Sequence, residues 1–110
     1  MPGASLDTPA DLADSISYQD GAVVSQALMK AKGGTVTLFA FDGGEGLSEH
    51  TAPYDALVLA VDGSATVAVA GEGHQICSGQ IVLLPAGVPH SIQADDRFKM
   101  LLIMMRAAKE

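Results

Sequence analysis

The chain is predicted to fold as an antiparallel all-β barrel or sandwich, and three observations carry that expectation. From Val23 onward, short runs rich in valine, leucine and threonine recur between Gly33-Gly34, Gly43-Gly44, Asp62-Gly63, Gly71-Glu72-Gly73 and Ser78-Gly79. These turn signals return about every eight to twelve residues, the spacing of a sandwich or barrel. Only one segment, Thr8-Pro9-Ala10-Asp11-Leu12-Ala13, has convincing helix-start chemistry: a capping threonine, proline at the first helical position and an acid in the first turn. A short helix is therefore expected near residues 9–15, within an N-terminal arm (residues 1–22) that precedes a single barrel domain (residues 23–110).

Taken in order, Thr35-Val36-Thr37-Leu38-Phe39-Ala40-Phe41 alternates partly, as a strand with one buried face does. Ala56-Leu57-Val58-Leu59-Ala60-Val61 is apolar on both faces, which suits a strand with one side inside a barrel and the other against a second layer or a subunit. Asp62-Gly63 is a hairpin signal leading into Ser64-Ala65-Thr66-Val67-Ala68-Val69. The stretch from Gly79 to His90 reads as a glycine turn, a buried strand, a Pro85/Gly87 corner and then a histidine entering the next strand. The final run, Phe98 to Met105, is a strand or a short helix on periodicity alone.

Composition narrows the function classes. The 110 residues are 48% hydrophobic and 17% charged, the balance of one compact domain. A net charge of −7 with only six scattered Lys and Arg argues against nucleic acid. No apolar run is long enough to span a bilayer, and the N-terminus lacks the basic flank and apolar core of a signal peptide. Cys77 is the single cysteine, so no internal disulfide forms; with the N-terminus, this points to a reducing, cytoplasmic setting. There is no phosphate loop, no CxxC pair and no nucleophile elbow.

Two segments carry motif spacing. Gly79, Pro85, Gly87 and His90 fit the pattern G-x5-P-x-G-x2-H-x3-N, with Ala94 at its last place. Gly44, His50 and Gly63 fit G-x5-H-x-H-x3,4-E-x6-G, with Ala52 at the second histidine and Ala56 at the glutamate. Together they resemble the two motifs of the cupin superfamily, and the chain is similar to small single-domain RmlC-like cupins of the cupin 2 barrel type. The resemblance implies an antiparallel jelly roll, the double-stranded β-helix barrel, and makes the run after His90 a strand. It also implies a metal position at His50 and His90 for one divalent ion, iron, manganese, nickel, copper or zinc, although two of the four family ligands are alanine here.

If side chains alternate after His50, then Ala52, Tyr54 and Ala56 share its face, and the alanines leave volume beside the imidazole. The expected ligand pocket is therefore His50, Ala52, Tyr54, Ala56 and His90. A replacement metal ligand would have to be Asp55, Glu49, Glu45 or His74, of which Asp55 and Glu49 have the wrong parity. The plainer alternatives are histidines bonded to backbone at strand starts, a packed Tyr54, a solvated Asp55, an exposed His74 and a passive, partly buried Cys77. Met100, Met104 and Met105 read as core or interface filler. Three functions follow: a cupin binding a small molecule, with or without metal, in the barrel mouth; a metal-free isomerase or epimerase moving a proton through a histidine; or a non-catalytic sensor module. No catalytic residue is assigned. Leu57, Leu59 and Val61, apolar on the face away from His50, and the methionine-rich last strand predict a homodimer.

Overall fold

The computed structural model describes residues 7–106. Among them, seven strands follow in chain order: β1 (Val23–Ala31), β2 (Gly34–Phe41), β3 (Gly46–His50), β4 (Tyr54–Val69), β5 (Glu72–Cys77), β6 (Ile81–Leu84) and β7 (His90–Arg106). All pairings are antiparallel, and the strands form a jelly-roll barrel. The expected N-terminal helix is reduced to one 3-10 turn, Ala13–Ser15. So short a helix cannot repay its nucleation, and at Ile16 the chain turns extended and buries that side chain instead.

Asp62-Gly63 does not make the hairpin that its sequence signals. β4 runs straight through it and bends there, with register shifts on both sides, between Ala60 and Asp62 and between Gly63 and Ala65. Gly63 sits at φ +76° opposite Phe98, and a Cβ at that position would collide with the Arg97 carbonyl oxygen. Only glycine satisfies both demands, positive φ and close backbone approach.

The bend divides the molecule into two walls. The first half of β4 (residues 54–60) pairs with the second half of β7 (100–106), and β2 and β6 extend that sheet. The second half of β4 (65–69) pairs with the first half of β7 (90–94), flanked by β3 and β5. Phe41, Val58, Val67, Phe98 and Met100 are fully buried between the walls, with the Phe41 and Phe98 rings 5.8 Å apart.

A smaller cluster lies on the outside of the first wall. There Leu12, Ile16 and Tyr18 cover Leu38, Ala40, Val61 and Leu101. Val61, one of the three residues expected to face a second subunit, is therefore covered by the chain's own N-terminal segment. Polar groups fasten this segment. Tyr18 donates to Asp62, Lys99 donates to the Ala13 carbonyl, and Arg97 pairs with Asp20 and, at 3.0 Å, with Asp42. Arg97 and Lys99 both lie over the Tyr18 ring, at 5.2 and 4.8 Å from its centroid. Among the described residues, no helix is long and apolar enough to cross a membrane.

Candidate functional site

His50 ends β3 and His90 begins β7, and the two are register partners across that strand pair. The corner between β6 and β7 sets their approach. Gly87 takes φ +76°, its N–H donates to the Ala52 carbonyl at 2.9 Å, and the Ala86 N–H donates to Asp55 Oδ1 at 2.9 Å. These two bonds tie the Pro85–Gly87 corner to the β3–β4 connection and to the start of β4, so both imidazoles meet at one end of the barrel. Their ring centroids are 4.5 Å apart, with the planes at 70°.

Each ring is held by its backbone. His50 Nδ1 lies 2.9 Å from the Ser48 carbonyl oxygen and His90 Nδ1 lies 3.2 Å from that of Val88. A carbonyl only accepts, so each Nδ1 carries the proton and donates it. In the neutral rings Nε2 is then left as a lone-pair acceptor. His90 is buried and His50 is exposed, so the pair reaches from the interior to solvent.

The five pocket residues read from the sequence, His50, Ala52, Tyr54, Ala56 and His90, line one cavity together with Leu47, Leu84, Ile92, Met100, Leu102 and Met104. Its volume of about 50 Å³ has room for a few waters or a ligand of a few heavy atoms. The second group escaped the sequence reading, which assigned the methionines to filler. A signal was present: His90, Ile92, Ala94, Phe98, Met100, Leu102 and Met104 all keep one parity along β7, and that parity is the inner face.

None of the replacement ligands lines the cavity. Asp55 is exposed and occupied by the Ala86 N–H, and Glu49 lines an open groove with Ser48, Ser91 and Gln93. His74 is exposed on β5, 3.9 Å from Glu72 Oε2. Among the described residues, no group of three or more His, Cys, Asp or Glu could hold a metal ion. Two imidazoles without a third ligand among the described residues fall short of the three or four protein ligands that a divalent ion such as zinc takes, so the residues present do not fit the ion that the sequence motifs imply. Cys77 is exposed rather than partly buried, because it lies on the outward side of β5, next to Ile76, which faces the core.

The family model for the AraC-like ligand binding domain matches residues 33–109. A conserved protein of unknown function from Streptococcus pyogenes is 27% identical, with a TM-score of 0.87 over 93% of this chain and 90% of that one. A cupin superfamily protein from Desulfitobacterium hafniense is 30% identical, with a TM-score of 0.87 over 92% of this chain and 93% of that one. A cupin 2 conserved barrel domain protein from Leptotrichia buccalis is 37% identical with a TM-score of 0.83, the match covering 86% of this chain but only 46% of that longer one. No curated protein sequence is significantly similar to the chain.

Proposed function

The chain belongs to the AraC-like ligand binding domain family of cupin-type barrels, and from that premise we propose that it holds a small ligand in the cavity between His50 and His90. One observation carries the reading. Two imidazoles, each with its Nδ1–H anchored on a backbone carbonyl, line a single cavity with Tyr54 and otherwise apolar residues, and we read their Nε2 atoms as the acceptors it offers. A concave apolar pocket with a few convergent polar groups is the usual form of a small-molecule site. The cavity favours ligands that donate hydrogen bonds to the imidazoles, since no Lys or Arg lines it to hold an anion.

Proton transfer on a small carbonyl compound, as in a metal-free isomerase, is the second reading. What favours it is the ring anchoring, which keeps Nε2 of each histidine ready to act as a base. We further propose a homodimer, built on the uncovered part of the outer wall, in a reducing compartment where the exposed Cys77 stays a free thiol.

The test is a thermal-shift screen of small alcohols, phenols, acids and aldehydes on the parent chain and on the His50→Ala, His90→Ala double variant. A ligand at about 100 times its dissociation constant adds roughly 2.7 kcal/mol, several degrees for a domain of this size. Stabilisation that vanishes in a folded double variant supports the cavity as the site. Stabilisation of equal size in both proteins removes the two histidines from it, and turnover of a stabilising aldehyde by the parent alone would favour the isomerase.

A further inference from the structure

We infer that the ligand of this site is an elongated hydroxy acid, whose hydroxyl enters the cavity at His50 and His90 and whose carboxylate lies at the barrel rim, against the Thr35 hydroxyl and between Lys30 and Arg106. The inference rests on the reading of the cavity as the ligand site and names the class of molecule that fills it.

Strand register lays these groups in one line. Lys30 is the cross-strand partner of Thr35, Thr35 of Met104, and Met104 of Ala56, so all of them stand on the face that lines the cavity. Arg106 keeps the parity of Met104 along β7 and pairs with Tyr54, another cavity residue. With neighbouring strands about 4.8 Å apart, Thr35 stands about 10 Å from the Ala56 position, and Lys30 one strand further. A molecule that touches both the imidazoles and the rim is therefore long, with polar groups at its two ends.

Two observations ask for such an occupant. Thr35 Oγ1 is shut off from solvent and has no hydrogen-bond partner among the described residues, which costs stability until something bonds to it. The cavity, at about 50 Å³, is also far smaller than the roughly 300 Å³ at which ordinary small-molecule pockets begin. Met104 connects the two facts. It lines the cavity and is the register partner of Thr35, and its unbranched, half-buried side chain changes rotamer easily. Turned outward, it opens the cavity towards the Thr35 hydroxyl. Charge then selects the acid. Arg97 and Lys99 are engaged by the N-terminal segment, whereas Lys30 and Arg106 are exposed on this face and form no ion pair with a described residue. A carboxylate at the rim accepts from both cations and from the Thr35 O–H, while the uncharged hydroxyl end enters the cavity that no Lys or Arg lines.

The probe is 4-hydroxycinnamate, a phenol and a carboxylate held apart by a rigid apolar spacer, titrated calorimetrically into the full chain. Cinnamate, which lacks the hydroxyl, and the methyl ester, which lacks the charge, should each bind at least about tenfold more weakly. Lys30→Gln with Arg106→Gln should cost about tenfold as well, and Lys32→Gln, in the turn between β1 and β2, should cost nothing. Thr35→Val should weaken binding by about fivefold yet leave the unliganded chain no less stable, because it removes a hydroxyl that has no partner. A merely structural Thr35 would give the reverse, lost stability with affinity unchanged. In methionine-methyl NMR spectra the Met104 signal should shift on binding and that of Met29, on the opposite face, should not. Circular dichroism confirms the fold of each variant. Equal affinity for cinnamate or the ester, no effect of the rim variants or of Thr35→Val, an unmoved Met104 signal, or binding that survives the His50→Ala, His90→Ala double variant would each overturn the inference. If 4-hydroxycinnamate binds no better than phenol while phenol still needs both histidines, the cavity reading stands and the extended ligand is wrong. If no probe depends on the histidines, the cavity reading fails with it.

Discussion

At position 56 a single methyl group decides what the barrel mouth can hold. Ala52 and Ala56 stand where the cupin motifs place histidine and glutamate, and both line the cavity beside His50 and His90. Restoring the set by Ala52→His and Ala56→Glu should raise affinity for Zn(II) or Mn(II) by at least about two orders of magnitude and make the cavity prefer a divalent ion, since the new carboxylate offsets charge and is itself coordinated rather than buried alone. Metal titration of the variant against the parent checks this, with circular dichroism to confirm the barrel; unchanged affinity in a folded variant would show that the two histidines do not sit on a metal-capable geometry. At this scale the sequence was informative. Motif spacing and strand parity together named five of the residues that line the cavity. Met104 was read as filler; its parity with His90 along β7 already puts it on the inner face, but that it stands opposite Ala56 is a pairing with a distant strand, which no local window contains.

Among the elements, the N-terminal segment is the one whose role depends most on charge. Tyr18 is held over the outer wall by its bond to Asp62 and by the two cations above its ring. Burial, first, and then the bond to Asp62 push its phenol pKa well above the ordinary value. The folded chain therefore keeps a proton that the unfolded chain releases near pH 10, and the stability gained is complete below that pH and lost as pH rises through the folded-state value. Asp42 works in the opposite sense. The Gly21 N–H and the Arg97 guanidinium hold its carboxyl below the usual range, so its contribution fades only in acid. Replacing Tyr18 by Phe should lower stability by about 1 kcal/mol at pH 7 and flatten the alkaline limb. Denaturant midpoints from pH 8 to 11 would show it, and parallel slopes for the two proteins would exclude Tyr18 as the source. Little of this fastening was legible in sequence. The helix-start signals at Thr8 and Pro9 are real local preferences, but the residues that fix the segment, Asp62, Arg97 and Lys99, come from β4 and β7.

On the scale of the whole molecule, the described residues leave part of the first wall bare. Leu57, Leu59, Ile81, Leu83 and Ile103 share an outer face through the pairings of β6, β4 and β7. Ile81 and Leu83 are 61% and 56% exposed, while among the described residues the N-terminal segment covers the neighbouring Leu38, Ala40, Val61 and Leu101. A second copy meeting this face would bury apolar side chains that one chain leaves in water, at about 25 cal/mol per Å². Sedimentation should give the mass of two chains, and Ile81→Glu with Leu83→Glu should give one chain without loss of fold, because both residues already lie at the surface. A parent sedimenting as one chain at high concentration would dismiss the dimer.

Residue order alone is enough to read the fold class, the glycine corner before His90, and the parity that groups Ala52, Tyr54 and Ala56 with His50. Each depends on alternation or turn chemistry within a few residues, which sequence carries directly. Contacts between distant segments settle the rest. Gly63 bends β4 instead of reversing it because the Arg97 carbonyl, from another strand, fills the space a side chain would need. Val61 is covered from the N-terminal segment, Asp55 is engaged by the Ala86 N–H, and Met104 is paired with Ala56. These outcomes are set by register between segments far apart in the chain, and a one-residue slip in any pairing would exchange the inner and outer faces.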